Sequence, residues 1–286
     1  DALVGLKDNV RLIGIGLPKL IRGFTGGPMI RAGESGNTPI NNYQVSGFEM
    51  DGRRSTYGSG DCVFVCGNYG EVSANYIHDS PSHGICLDGQ TAGGASGNLI
   101  SFNRVVNVAH IGISQNTAPD NTICWNSVTG CGWEAVTVDV TSYRCRVVGN
   151  WLVTNCLTGG CGQIGIDKSD LSMISSNYID GNNKTNIPGI CFNNAAGTTN
   201  YVAITGNVII NCDIAAVWMK HLGSALNGDP GYYSSAHNSV VGNIFRGCPL
   251  GVRIDSTCND NKVGFNTGGL NNTDAGLRNS VEGILS

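Results

Sequence analysis

The sequence predicts an all-β solenoid of short parallel strands, stacked in about nine or ten coils. One observation behind this prediction is a repeat in which an asparagine precedes a short β-branched run, as in ANYIHD, SNYIDG and GNVIIN. Copies recur every 23 to 36 residues, a spacing typical of solenoid proteins. The other observation is composition, because 42 glycines and only 13% charged residues indicate many turns between short strands. The repeated asparagines are Asn75, Asn103, Asn126, Asn150, Asn177, Asn207, Asn243 and Asn266.

Each repeated asparagine is predicted to lie at a corner of its coil. Asparagine tolerates left-handed backbone geometry, and a buried asparagine side chain at a corner can bond the backbone of the next coil. The apolar residues that follow it, as in Tyr76–Ile77 or Trp151–Val153, then begin a strand and enter the core. One repeat cannot bury its own apolar side, but coils stacked about 4.8 Å apart bury it between them.

The cysteines fit the same scheme. Four of the 12 follow a repeated asparagine by five or six residues and are predicted to stack as small buried thiols, with disulfides between some neighbours left open. These four are Cys131, Cys156, Cys212 and Cys248. No zinc site is predicted, because the pair Cys62 and Cys66 has no matching second pair.

Length and charge limit the other possibilities. The 286 residues are predicted to form one domain, 1–286, and the abrupt start without a signal-peptide pattern suggests part of a longer chain. A net charge of -4 without a long basic run argues against nucleic acid or an anionic membrane surface as a partner. No stretch approaches the roughly 20 apolar residues of a membrane helix.

A second short strand is predicted in most repeats, as in GICLD, AVTVD and QIGID. Alternation along this strand sends one column of side chains outward and leaves a polar residue at its end. The outward column is Cys86, Ser114, Thr137, Gly165, Cys191, Trp218 and Arg253. The end column is Asp88, Asn116, Asp139, Asp167, Asn193, Lys220 and Asp255.

The acidic end column predicts a catalytic site. Asp139 and Asp167 belong to successive coils, so their Cβ atoms are expected about 5 Å apart, where like charges raise one pKa. Such a pair suits a glycosidase acid and its partner carboxylate. Glu134 and Asp170 flank the pair as further catalytic candidates, and Lys168 is expected to moderate the repulsion. The alternative is that these residues only cap turns by bonding backbone N–H groups.

A second cluster predicts substrate binding. Trp218, Lys220 and His221 precede the longest insertion, which contains Tyr232 and Tyr233. Exposed aromatic rings suit stacking on sugars. Here Lys220, or Arg253 in the next repeat, is expected to meet the carboxylate of an acidic sugar. The alternative is that an exposed tryptophan packs against a neighbouring subunit. His83, in SPSHGIC, is a further binding candidate and could transfer protons near neutral pH, unless it is only a surface histidine.

The repeats, together with the opening segment LKDNVRLIGIG (Leu6–Gly16), resemble the right-handed parallel β-helix proteins of the pectate-lyase-like superfamily. The chain is most similar to phage tailspikes and other polysaccharide depolymerases. Ser82-His83-Gly84 and Arg253-Ile254-Asp255 resemble two motifs of polygalacturonases. The paired aspartates of those enzymes are missing upstream of His83, so their site is not carried over.

The resemblance implies an enzyme that degrades a capsular or other acidic polysaccharide, and the acidic column favours hydrolysis. It also implies a homotrimer located extracellularly or on a virion surface. No cofactor or metal is expected, because calcium-binding nonapeptide repeats are absent and no arginine is clearly placed beside Asp139 and Asp167 to complete a calcium site of the pectate-lyase type. One alternative is a polysaccharide lyase or uronate epimerase, with His83, Lys168 or Lys220 as the base. Another is a non-catalytic carbohydrate-binding adhesin or tail module.

Overall fold

Three parallel β-sheets run along the described part of the chain and enclose one apolar core. The computed structural model describes residues 4–33, 39–89, 94–159, 162–193, 197–220, 235–256, 258–268, 272–275 and 279–281. Strands, turns and bends account for the structure in these ranges, and none of their residues forms a helix able to cross a bilayer.

The first two sheets have eleven strands each, and the third has nine. The first sheet contains Val4–Leu6, Ile30–Ala32, Val63–Val65, Ile85–Asp88, Ile113–Asn116, Val136–Asp139, Ile164–Asp167, Ile190–Phe192, Val217–Met219, Val252–Ile254 and Thr273–Asp274. The second sheet contains Arg11–Ile13, Gln44–Ser46, Glu71–Ser73, Leu99–Ser101, Thr122–Cys124, Arg146–Val148, Met173–Ser175, Ala203–Thr205, Ser239–Val241, Lys262–Gly264 and Ser280–Val281. The third sheet contains Lys19–Ile21, Glu49–Asp51, Tyr76–His78, Arg104–Val106, Ser127–Thr129, Trp151–Val153, Tyr178–Asp180, Val208–Ile210 and Ile244–Arg246. Thr199–Asn200 and Ser235–Ala236 form a separate two-stranded ladder.

Each coil passes through the first, second and third sheets in turn, and every strand pairs in parallel with its equivalents in neighbouring coils. In the first sheet, for example, Val136 pairs with Ile113 on one side and Ile164 on the other. The inward side chains of these strands are fully buried and stack into apolar columns. About nine complete coils result, which confirms the predicted all-β solenoid.

The repeated asparagines form a continuous buried ladder at the corner between the second and third sheets. Asn150 shows the pattern, since its Nδ2 donates to Asn177 Oδ1 in the next coil at 3.0 Å. The Asn150 backbone N–H donates to the same oxygen at 2.9 Å. Each asparagine therefore links consecutive coils through its side chain.

The predicted left-handed geometry of these asparagines is wrong. The residue before each asparagine adopts it instead, with φ of 53° at Ala74, 55° at Phe102 and 58° at Trp125. The preceding residue makes the turn, so the asparagine side chain is free to point inward and join the ladder. Bulky residues in this geometry are strained by roughly 1–2 kcal/mol, because Cβ crowds the following carbonyl oxygen.

Replacing Ala74 with glycine should therefore stabilise the protein. Ala74 is exposed and has a positive φ, so Ala74→Gly relieves strain without removing a buried contact. We expect the free energy of unfolding to rise by up to about 1 kcal/mol in a denaturant titration. Ala203→Gly is the matched control, because Ala203 lies in a regular strand. The free energy of unfolding of this variant should fall by about 0.5–1 kcal/mol. A loss of stability in both variants would contradict this explanation.

The eleven described cysteines are free thiols, and all but Cys124 are buried. Cys212 and Cys248 occupy equivalent places in consecutive coils, and a side-chain hydrogen bond to Cys248 is the largest contribution to the raised pKa of Cys212. Burial raises the pKa of Cys62 to about 12. Most of these thiols are therefore protonated at neutral pH and serve as small apolar side chains.

Candidate functional site

A groove of about 430 Å³ lies on the outer face of the first sheet. One rim comes from residues that precede the strands, and the other from residues that end or follow them. The first rim is His83, Ile111, Trp133 and Glu134. The second rim is Asp88, Asn116, Asp139, Val140, Asp167 and Asn193. The floor is Cys86, Ser114, Thr137 and Gly165, which the strand register places side by side.

The floor is low because its side chains are small, and the same outward column carries large side chains further along. Phe64 pairs with Cys86 at one end, and Trp218 follows Cys191 at the other. At about 4.8 Å per coil, Phe64 and Trp218 lie roughly 29 Å apart. The Arg31 guanidinium lies 5.9 Å from the Phe64 ring centre, and an arginine also covers Trp218. A cation and an aromatic ring thus bound the floor at each end.

The carboxylates of the groove converge on its central coils. Asp139 and Asp167 are direct partners in the strand register, as the aligned repeats predict. Glu134 faces them from the opposite rim and is only 5% exposed. Burial raises the pKa of Asp139 well above its usual range, and the negative charges of Asp167 and Glu134 raise it further. A carboxyl of raised pKa beside other carboxylates is the arrangement expected of a general acid.

The hydrogen bonding of Asp139 does not match a turn cap. The Thr137 hydroxyl hydrogen-bonds the Asp139 carboxyl and lowers its pKa, but this effect is smaller than the rise caused by burial and by the neighbouring carboxylates. Among the described residues, no backbone hydrogen bond contributes to the pKa shift of Asp139. The turn that follows is made instead by Ser142, whose hydroxyl donates to the Asp139 carbonyl oxygen.

Asp170 and Lys168 lie outside this constellation. The backbone turns at Lys168, where φ is 46°, and carries Asp170 toward the second sheet. Asp170 Oδ1 accepts the Asn200 backbone N–H at 2.6 Å, so this carboxylate caps a turn. Lys168 is exposed and lies over Gly197, and it is not among the groups that shift the pKa of Asp139. The structure therefore separates both residues from the pair that they flank in sequence.

Trp218 lies in a polar cluster at one end of the outward column. Its indole Nε1 donates to Asp255 Oδ1 at 3.1 Å, and Arg253 Nε donates to the same oxygen at 3.2 Å. The Arg253 guanidinium lies 4.2 Å from the ring centre, and the Lys220 ammonium lies 5.2 Å from it. The Arg253 and Lys220 side chains therefore lie over the indole ring on which the sequence predicts that a sugar stacks. His221, Tyr232 and Tyr233 lie outside the described residues.

His83 belongs to a hydrogen-bonded chain at the other end of the groove. Its Nδ1 lies 2.9 Å from Asp61 Oδ1, and its Nε2 lies 2.9 Å from His110 Nδ1. The His110 ring packs against Trp133, with 4.4 Å between ring centres. Burial acts to raise the pKa of Asp61, but the bonds from His83 outweigh it and the pKa is lowered. Burial and the nearby His83 lower the pKa of His110.

No protein-family model matches the chain, and neither does any curated protein. Solved structures do match it. The A-module of a mannuronan C-5 epimerase from Azotobacter vinelandii aligns with 98% of this chain and 84% of its own, at 19% identity and a TM-score of 0.71. This chain is a right-handed parallel β-helix.

Two further structures show the same β-helix fold. A tailspike of E. coli bacteriophage HK620, solved with a pentasaccharide, covers 100% of this chain and 53% of its own, at 12% identity and a TM-score of 0.68. An exopolygalacturonase from Thermotoga maritima covers 96% of this chain and 81% of its own, at 11% identity and a TM-score of 0.59. At these identities the likeness is one of fold.

Sequence reasoning about this β-helix missed Asp61, which contacts His83, and Trp133, which lines the rim of the groove. Asp61 precedes the strand Val63–Val65 much as His83 precedes Ile85–Asp88, so the two belong to adjacent coils. That equivalence was a usable signal. No sequence signal marks Trp133, because its place in the rim depends on a bend just before Val136–Asp139.

Proposed function

We propose that the groove binds an acidic or complex polysaccharide and that its carboxylates hydrolyse the glycosidic bonds. The observation that carries this proposal is Asp139, a carboxyl of raised pKa in an open groove directly beside Asp167. The similar structures support the substrate class, since their names describe an epimerase of mannuronan, a tailspike with a pentasaccharide and an exopolygalacturonase.

The two aspartates divide the roles by protonation. Asp139 keeps its proton and donates it to the oxygen of the leaving sugar as the C–O bond breaks. The Asp167 carboxylate attacks the sugar carbon as that bond breaks and forms a glycosyl ester. Water, whose proton passes to Asp139, then displaces Asp167 and restores both groups. Adjacent parallel strands lie about 4.8 Å apart, near the separation of roughly 5–5.5 Å found in retaining glycosidases. Retention of anomeric configuration is therefore the expected stereochemistry.

The ends of the outward column suit an anionic polymer. Arg31 beside Phe64 places positive charge at one end, and Arg253 and Lys220 beside Trp218 outnumber the single carboxylate of Asp255 at the other, whereas the central coils are acidic. Carboxylate groups of a bound chain are expected to meet these arginines, because guanidinium groups pair with carboxylates in a planar, bidentate manner. The uncharged part of the bound polysaccharide would then lie along the central coils, beside Asp139.

A reducing-end assay on a panel of bacterial capsular and plant acidic polysaccharides tests the proposal. We expect new reducing ends with at least one polymer and no ultraviolet absorbance from a new C=C bond. Products with that absorbance would indicate a lyase. A changed uronate composition without cleavage would indicate an epimerase. Binding without any chemical change would make the chain a non-catalytic adhesin.

Replacing Trp133 should weaken substrate binding more than it slows chemistry. Trp133 lies on the groove rim and is 42% exposed, so a sugar ring can reach it. Losing a stacking contact of about 0.5–1.5 kcal/mol should raise KM roughly two- to tenfold in Trp133→Ala, with kcat little changed. Trp151→Ala is the matched control, because Trp151 is 54% exposed but lies on the third sheet. An equal rise in KM for both variants would place binding elsewhere.

We extend the proposal to an extracellular or virion surface, which the likeness to a bacteriophage tailspike supports, and to a homotrimer, which the resemblance of the sequence to tailspikes implies. Sedimentation equilibrium of the purified chain tests the assembly. A mass three times that of the 29.9 kDa chain is expected, and a concentration-independent monomer would contradict it.

A further inference from the structure

We propose that Asp61, His83 and Cys86 form a binding site for a zinc-type transition-metal ion at the end of the groove. One ligand atom from each residue lies within 4.8 Å of the other two. The inference does not depend on glycoside hydrolysis, because it concerns side chains outside the Asp139 and Asp167 pair.

The donor set fits this class of metal. A carboxylate oxygen, an imidazole nitrogen and a thiolate are all zinc ligands, at about 2.0–2.3 Å from the ion. A tetrahedral ion at those distances requires its ligand atoms to be about 3.3–3.8 Å apart. The three atoms therefore need to close by no more than about 1.5 Å. A set containing a thiolate disfavours calcium and magnesium, which prefer oxygen ligands.

The surrounding structure already orients two of the ligands. Asp61 Oδ1 accepts the His83 backbone N–H at 2.9 Å and also meets the His83 ring. On the other side, the buried Arg22 side chain donates to the Asp61 carbonyl oxygen. Fixed ligands of this kind lower the ordering cost of binding a metal, as outer hydrogen bonds do in known metal sites.

The Cys86 thiol is the unexplained member of the cluster. It is 8% exposed on the groove floor, and among the described residues no hydrogen bond contributes to the pKa shift of this thiol. Asp61 and Asp88 lie close enough to Cys86 to act on it electrostatically, so negative charge collects at this end of the groove and favours a cation there.

Three protein ligands leave a fourth position for water or a substrate oxygen, as in zinc sites that are not purely structural. His83 and Cys86 both line the groove, so this position would face a bound polymer. With His83 Nδ1, the nitrogen beside Asp61, as the metal ligand, His83 Nε2 keeps its contact with His110 Nδ1 at 2.9 Å, and His110 orients the ring from outside the site.

Cobalt(II) binding to the purified, reduced chain tests the site without any activity measurement. We expect one Co²⁺ per chain, a sulfur-to-cobalt charge-transfer band in the near ultraviolet, and displacement of the band by Zn²⁺. Cys86→Ser should abolish the band. Cys191→Ser is the matched control, because Cys191 is a buried cysteine of the same outward column in a later coil.

His83→Gln is a second variant for the Co²⁺ binding measurement, and it keeps the Cys86 thiol. It should weaken Co²⁺ binding by at least about tenfold while retaining some charge-transfer absorbance. Melting temperatures establish that each variant is folded, and if Cys86→Ser does not fold, the affinity of His83→Gln decides. The proposal is overturned if the wild-type chain shows no band. It is equally overturned if the band survives in Cys86→Ser, or if His83→Gln binds as tightly as the wild-type chain.

Discussion

Asp139→Asn is expected to hydrolyse polysaccharide about 10²- to 10⁴-fold more slowly than the wild-type chain, because the amide cannot donate the proton that a general acid supplies. The same variant is expected to be more stable at neutral pH. This pairing of lost activity with gained stability is the signature of a carboxyl held in an unfavourable environment for function. It is measured by kcat in the reducing-end assay and by Tm.

The stability gain follows from the direction of the pKa shift. Burial and the neighbouring carboxylates raise the pKa of Asp139 in the folded chain above its ordinary value of 3.8. The folded state therefore binds this proton more tightly than the unfolded state does. Its contribution to stability is fully present below the ordinary pKa and is lost as pH rises through the folded-state value. The amide of Asp139→Asn stays neutral at every pH, so the advantage of this variant should disappear in acid.

Asp170→Asn is the matched control for this prediction. Asp170 is three residues beyond Asp167, but its carboxylate accepts the Asn200 N–H outside the groove. We expect unchanged kcat and a small loss of stability, because a charge-assisted hydrogen bond is weakened. Lower Tm together with lost activity in Asp139→Asn would instead indicate that Asp139 only supports its turn.

Activity should also fall as pH rises through the raised pKa of Asp139.

Asn150→Ala, in the middle of the ladder, should lower the free energy of unfolding by about 3–5 kcal/mol. Asn150 is 1% exposed, and its Nδ2 donates to the Ile123 carbonyl at 3.0 Å and to Asn177 Oδ1 at 3.0 Å. Its Oδ1 accepts two bonds from Asn126. Alanine leaves these buried partners unsatisfied in two neighbouring coils.

Urea unfolding followed by tryptophan fluorescence, together with limited proteolysis to detect local opening, measures this loss. Proteolysis is needed because solenoids can unfold in parts. Asn266→Ala is the graded control, since Asn266 ends the described ladder and links to a single neighbouring asparagine, Asn243. We expect a smaller loss there. A loss below about 1 kcal/mol in Asn150→Ala would show that the ladder contributes little.

The repeat in the sequence was enough to predict the columns of this fold. Side chains alternate along a strand, and parallel coils place equivalent residues side by side, so aligned repeats predict neighbours directly. The pairing of Asp139 with Asp167 and the outward column from Cys86 to Trp218 follow from this rule and are confirmed in the strand register. The buried asparagine ladder follows from it as well.

Only the tertiary structure decided what the corners do. The turn at Lys168 removes Asp170 from the groove, and a bend before Val136 brings Glu134 and Trp133 to the rim. Neighbouring coils also join Asp61 to His83. Strand geometry is periodic and hence readable from spacing, whereas corners differ in length and in the residue that adopts positive φ. Contacts made across corners therefore depend on the folded path of the chain.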